Sequence, residues 1–263
     1  MAAGALRRDQ AARLTRRTAR RTARPARGKL LEVTVYRLPR EILFPDPAEA
    51  EPDGLLAVGG DLSVERLLTA YASGIFPWFT RGKTPYWFSP DPRLVLRPEA
   101  LHVPRSLQRT IRRGAFRFTA DQAFEQVIRA CAAARRPGQR GTWISAPIVA
   151  GYLGLHAAGF AHSFEAWEGD ALVGGLYGVS LGAAFFGESM FATRPDASKA
   201  AFVRGVETLA ARGFRLVDCQ VSTEHLLRFG AEDWPRARYL AALPGLLEAP
   251  TWRGPWTLDG PEP

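Results

Sequence analysis

Apolar and polar positions along the chain follow a few distinct periods. The run from Leu31 to Arg37 alternates in the manner of a strand, and a proline- and acid-rich loop follows to about Asp61. Val64, Leu67, Leu68 and Tyr71 recur at i, i+3, i+4 and i+7, which predicts a helix capped by Ser63 and stopped at Gly74. From Ile75 to Pro92 the pattern reads as a proline-punctuated loop holding Phe76, Trp78, Phe79, Tyr86, Trp87 and Phe88. So many rings in one loop fit either a satellite core or the wall of a site for an apolar or stacking ligand. A helix over about 104–113 places Arg105, Arg109 and Arg112 on one face, with Arg113 and Arg117 close by. This is a solvated helix face or a cradle for an RNA backbone.

From about residue 121 the periods are those of an α/β unit. Asp121 is expected to cap a helix with Phe124, Val127, Ile128 and Cys131 on one stripe. Ser145 with Pro147 opens another helix, ending near Gly159. Strands are expected over 161–168, 171–179 and 182–188, with Glu168-Gly-Asp170 as a hairpin turn. Asp196 or Ser198 caps a helix that runs through Arg212 and stops at Gly213. A strand over 214–221 follows, then short helices over 223–229 and 235–247. Gly174 and Gly175 either admit close approach of a substrate or mark a bulge. Helix, antiparallel meander, helix, strand is the order of an N-acetyltransferase-like (GNAT-type) core. The expected class is therefore α+β, with a basic tail over 1–29, a smaller N-terminal α/β domain over 30–96 and an acyltransferase-like domain over 97–263.

Charge changes this picture at one end only. The formal net charge of the 263 residues is +9, and residues 1–29, with nine Arg, Lys29 and a single acid, account for all of it. That tail has too little apolar content to bury and is expected to be disordered. It reads as a nonspecific RNA-binding arm, a dispensable extension or a transit-like segment. No apolar run approaches the ~20 residues that span a bilayer. Two cysteines are too few for a disulfide framework and fit the cytoplasm. The four histidines have no metal-ligand spacing, so no metal is expected.

The candidate chemistry lies in Leu216-Val-Asp-Cys-Gln-Val221. Strand alternation puts Asp218 and Gln220 on one face, with Val217, Cys219 and Val221 on the other. A carboxylate and a carboxamide on an apolar strand need partners. They suit either a structural pair at a strand end or a site that positions an amine and polarises a carbonyl. An acyl-CoA enzyme needs a glycine-rich turn for the pyrophosphate, and this chain has Thr193-Arg-Pro-Asp-Ala-Ser198 before the corresponding helix. It also lacks the phosphate loop of an ATP-driven enzyme. A donor already activated as an ester fits better, and no cofactor is expected.

Six blocks occur in order: Glu51-Pro-Asp-Gly-Leu-Leu-Ala-Val-Gly-Gly-Asp-Leu-Ser63, Gly74-Ile-Phe-Pro-Trp-Phe79, Trp87-Phe-Ser-Pro-Asp-Pro-Arg93, Gly141-Thr-Trp-Ile144, Gly187-Glu-Ser-Met-Phe191 and Asp218-Cys-Gln220. Together they make the chain, over about residues 31–245, resemble the leucyl/phenylalanyl-tRNA–protein transferase family. The resemblance implies transfer of Leu or Phe, and less readily Met, from aminoacyl-tRNA to proteins beginning with Arg or Lys. Such transfer marks them for N-degron degradation, and a monomer is expected. By the same resemblance Asp218 and Gln220 are the catalytic pair, and Glu188 reads the basic acceptor. Leu176, Phe185, Met190, Phe202 and Val217 form the aminoacyl pocket, Trp78 and Trp143 flank the donor's adenosine, and Arg105, Arg109, Arg112 and Arg113 face the tRNA. Asp218 is expected to orient both Gln220 and the incoming amine. The competing readings are an acyl-CoA N-acetyltransferase and a noncatalytic RNA-binding module.

Overall fold

The computed structural model describes residues 35–134 and 142–258. The basic tail, Leu31 to Thr34 of the first expected strand, and Gly141 lie outside the described residues.

Two sheets organise the described chain. The smaller has the order β1-β2-β4-β3, built from β1 (Tyr36–Leu38), β2 (Leu55–Gly59), β3 (Phe76–Arg81) and β4 (Thr84–Phe88). Two expectations are corrected here. Strand β2 lies inside the stretch read as loop, and the aromatic loop is instead the β3–β4 hairpin, turned at Gly82 with φ +60°. Its prolines hid it, because proline cannot donate to a ladder. Both sit where no donor is missed: β3 is an edge strand, and β2 pairs with β4 only from Tyr86 onward, short of Pro85. Helix α1 (Val64–Ala72) starts at Ser63, whose hydroxyl accepts from the Arg66 amide, as the periodicity predicts.

The larger sheet has the order β11-β5-β10-β9-β8-β7-β6. It contains β5 (Arg93–Leu96), β6 (Arg117–Ala120), β7 (Ala161–Glu168), β8 (Ala171–Leu181), β9 (Ala184–Ala192), β10 (Leu216–Gln220) and β11 (Glu232–Trp234). Strands β7, β8 and β9 form the expected meander. Strand β10 returns parallel to β9, and every other pair is antiparallel. The connection from β9 to β10 is α5 (Ala197–Ala211), which packs with α2 (Arg105–Arg112) on one face around Phe164, Phe185 and Val217. On the other face, around Phe186 and Leu216, lie α1, α3 (Phe124–Ala133), α4 (Ala146–Ala157) and α7 (Arg236–Leu247). The short α6 (Glu224–Leu227) follows β10.

Two local expectations are corrected, and Ser145 with Pro147 opens its helix as expected. Asp121 does not cap α3; its carboxylate accepts from His162 Nδ1 and from the Ser163 and Trp256 amides, each at 2.7–2.8 Å. The helix begins after Ala123 without a side-chain cap, and Glu165 of β7 accepts from the Ala123 amide at 3.4 Å. Ser145 opens α4 without a capping bond, its hydroxyl being 2.8 Å from that of Thr80. Gly174 and Gly175 are not clearings for a substrate: a Cβ on Gly174 would lie 2.7 Å from Ala197, and one on Gly175 would lie 2.8 Å from the Phe164 carbonyl. The absent side chains let α5 and β7 press against β8. Gly174→Ala is therefore expected to lower stability by about 1–3 kcal/mol through overpacking, read from the midpoint of urea unfolding.

Candidate active site

The parting of two parallel strands makes the site. Strand β10 is paired with β9 from Leu216↔Ala184 only as far as Asp218↔Phe186, whereas β9 runs on to Ala192. Beyond Asp218 the strands separate, and a cavity of about 370 Å³ opens between Gly187–Met190 and Cys219–Val221. Against β5 the register slips between Asp218 and Gln220, and Gln220 takes a left-handed backbone with φ +64°. That conformation is uncommon for a residue with a side chain and marks a constrained position.

The cavity collects most of the residues singled out in the sequence. Leu176, Phe185, Met190, Phe202 and Val217 line it, with Trp78 and Trp143, Glu188 and Gln220. It also takes in Tyr177, Thr223, His225 and Leu226, which sequence reasoning passed over. Burial and the nearby Lys199 and Arg228 push the His225 imidazole below its usual range. Cys219 faces the cavity too, but burial pushes its thiol up, away from the thiolate a nucleophile would need. The arginines of α2 are not in the cavity: Arg105, Arg109, Arg112 and Arg113 are exposed, while Leu107 anchors the helix in the core next to α5.

Asp218 is sealed off behind this cavity. Its side chain is 0 % exposed and all its acceptor positions are filled. Oδ1 accepts from Arg93 Nε at 2.8 Å and from the Gln220 amide at 2.9 Å. Oδ2 accepts from Arg93 Nη2 at 2.6 Å and from the Tyr239 hydroxyl at 2.7 Å. A carboxylate offers about four lone-pair sites, so none is left for an amine. The expectation that Asp218 meets the incoming amine is thereby corrected. The expected alternation is broken at the register slip: Gln220 lines the cavity together with Val217, Cys219 and Val221, and Asp218 reaches only the Gln220 backbone. Burial opposes the charge on Arg93, but Asp218, Tyr239 and Glu188 together outweigh it and shift the guanidinium upward.

Glu188 stands at the other end of Gln220. Its Oε1 accepts from Gln220 Nε2 at 2.7 Å and from the Tyr71 hydroxyl at 2.6 Å, and its Oε2 contacts the Tyr152 hydroxyl at 2.7 Å. The Tyr71 and Tyr152 hydroxyls also bond one another. Both hydroxyls donate to the Glu188 carboxyl group. Burial raises Glu188 to about 7, and the Asp218 charge adds to that shift against the Tyr71, Tyr152 and Gln220 donors. Neither tyrosine was anticipated. Tyr71 lies on the apolar stripe of α1 and Tyr152 in the apolar α4, so both read as core. The available signal is that a buried tyrosine hydroxyl requires a partner.

Comparison with known proteins accords with this arrangement. The family profile described as leucyl/phenylalanyl-tRNA protein transferase matches residues 95–244, and that of the family's N-terminal domain matches residues 60–91. A leucyl/phenylalanyl-tRNA–protein transferase of Anaeromyxobacter sp. (strain K) is 70 % identical over 229 residues, 87 % of this chain and 98 % of the relative. Those of Myxococcus xanthus and Desulfatibacillum aliphaticivorans are 59 % and 54 % identical, covering 82 % and 86 % of this chain and 92 % and 97 % of theirs. Among solved structures, L-PGS from Bacillus licheniformis aligns at 10 % identity over 65 % of this chain and 56 % of its own, with a TM-score of 0.35, too low to bear on the argument. The matched segments carry the cavity lining together with Tyr71, Tyr152, Asp218 and Tyr239, with Arg93 falling between them, and the chain belongs to the leucyl/phenylalanyl-tRNA–protein transferase family.

Proposed function

We propose that the cavity between β9 and β10 receives the aminoacyl end of a leucyl- or phenylalanyl-tRNA and joins it to an acceptor protein beginning with Arg or Lys. The observation that carries this reading is the coincidence of an apolar cavity, a carboxylate and a correctly turned carboxamide at one parting of strands. The apolar walls, Leu176, Phe185, Met190, Phe202 and Val217, take the donor's side chain. One methylene is worth only about 1–3 kcal/mol in such a pocket, and the flexible thioether of Met190 widens tolerance, so Met is a poorer third donor. Trp78 and Trp143 stack on the terminal adenosine, and the exposed arginines of α2 hold the RNA backbone. The fold that supports this is GNAT-like in its order of elements, and the reaction is that of a monomer acting in the cytoplasm on proteins destined for N-degron degradation.

The acceptor's α-amine attacks the ester carbonyl. A bond forms between nitrogen and that carbon, the bond from carbon to the ribose oxygen breaks, and one amine proton ends on that oxygen. An α-amine has a pKa near 8, so an appreciable neutral fraction is present at pH 7 without a strong base. Positioning then carries most of the catalysis. Because Gln220 Nε2 is committed to Glu188, the carbonyl oxygen of its amide faces away from Glu188 and is free to accept from the attacking amine. Asp218 acts through Gln220 and does not touch substrate. Glu188, once ionised, pairs with the guanidinium or ammonium of the acceptor's first residue.

The test is transfer of radiolabelled leucine from leucyl-tRNA to an Arg-starting peptide, with an acetyl-CoA arm and a tRNA-binding arm alongside. Label in the peptide is expected; acetylation, or tRNA binding without transfer, would point to the competing readings. Gln220→Ala is expected to lower kcat by about 100-fold with tRNA affinity retained, and an undiminished kcat would remove Gln220 from the mechanism. Since Glu188 titrates near 7, the Michaelis constant for an Arg-starting peptide should rise as pH falls from 8 to 6. In Glu188→Gln it should be high and flat over the same range. Linkage gives the matching stability effect. The folded-state value lies above the ordinary carboxylate value, so stability is greatest below the ordinary value and falls as pH rises through 7. Urea melts should show that decline in the unmutated protein and lose it in Glu188→Gln.

A further inference from the structure

We propose that Arg93 and Tyr239 are positioning residues for acyl transfer: they lock Asp218 against the Gln220 backbone, so that Gln220 alone meets the substrate. This rests on the reading of Gln220 given above and goes beyond it by assigning work to two buried side chains outside the cavity lining.

The case begins with the strand. At Gln220 the β5–β10 register slips, and the backbone turns left-handed. Asp218 Oδ1 takes the Gln220 amide proton at 2.9 Å, so the turn that aims the Gln220 side chain at the cavity is held by a side chain as well as by its pairing with Leu94 of β5. A bond of that kind positions well only if the carboxylate cannot rotate. Arg93 fixes it by a two-pronged contact, and Tyr239 fixes it from a third direction.

Arg93 is held just as tightly. Its Nη1 donates to the Gly74 carbonyl at 3.2 Å, and its guanidinium lies 4.8 Å from the Phe76 ring centroid and 4.7 Å from that of Tyr239. A lysine has neither the planar fork nor the flat face this slot uses. The clamp joins the turn after α1, the start of β5, β10 and α7.

A double-mutant cycle on kcat tests the proposal. Arg93→Met is expected to lower kcat by about 100-fold, as misplacement by an ångström does. Tyr239→Phe should lower it by roughly 5-fold, because one of the bonds to Asp218 is lost. Both should leave tRNA affinity and the acceptor's Michaelis constant unchanged. In a Gln220→Ala background neither should lower kcat further, since a misplaced Gln220 and an absent one are equivalent. Losses that multiply in that background would overturn the proposal, as would a folded Arg93→Met at the unmutated kcat. Should Arg93→Met fail to fold, the Tyr239→Phe arm runs the same cycle with the ion pair intact, and multiplicative losses there are equally fatal. An undiminished kcat in Gln220→Ala alone would instead sink the reading of Gln220.

Discussion

Everything in this protein's site follows from a ladder that stops. Strands β9 and β10 are the one parallel pair in the larger sheet of the described chain, and their hydrogen bonds end at Asp218↔Phe186. Past that point each strand needs new partners for its backbone groups, because buried amides and carbonyls are rarely left unpaired. For β10 the replacement is its own carboxylate at Asp218. The space between the diverging strands becomes the cavity. A sheet that stayed paired to its ends would have no room for a substrate between those strands.

The price of opening a sheet is exposure of polar groups to a half-buried interior, and the chain answers with two closed networks. Behind the cavity, Arg93, Asp218 and Tyr239 match charge and hydrogen bonds, with Asp218 fully saturated. At its rim, Glu188, Tyr71, Tyr152 and Gln220 form a second network that is only 9 % exposed at the carboxylate. The two differ in what they can do. A carboxylate gripped by a guanidinium fork and a phenol is fixed in place. One held by two phenols and an amide, with burial pushing it up to about 7, can exchange its proton for a cation. Gln220 connects them, taking its backbone geometry from one and its side-chain orientation from the other.

Much of this was legible in the sequence, and the omissions have physical causes. The predicted meander, α5 and α1 appear within a few residues of their expected limits, whereas the alternation expected through Asp218 and Gln220 is broken by the register slip between them. The residues assigned to the apolar pocket do line one cavity. Strands β2 and β5 went unseen because each is short and flanked by prolines or glycines, and their pairing is supplied by distant segments. The role of Arg93 went unseen because local pattern says nothing of a partner 125 positions away, although a cation heading the apolar run Leu94-Val95-Leu96 already implied a buried acid. Tyr71 and Tyr152 satisfied their helical stripes so well that their hydroxyls were overlooked. The assignment of Asp121 failed because tertiary hydrogen bonds to His162 and Trp256 outcompeted a local cap.

The arginine wedged between Phe76 and Tyr239 has a consequence for how the molecule comes into being. Its neighbours arrive on the chain in sequence, Gly74 and Phe76 early, Asp218 late and Tyr239 later still. A growing polypeptide that has emerged short of β10 has that guanidinium but not its carboxylate, and one short of the last helix lacks the phenol that completes the clamp. With the roles proposed above, such a chain has walls for an amino acid but no fully fixed amide to direct the attack. Turnover would then itself be a readout of complete folding.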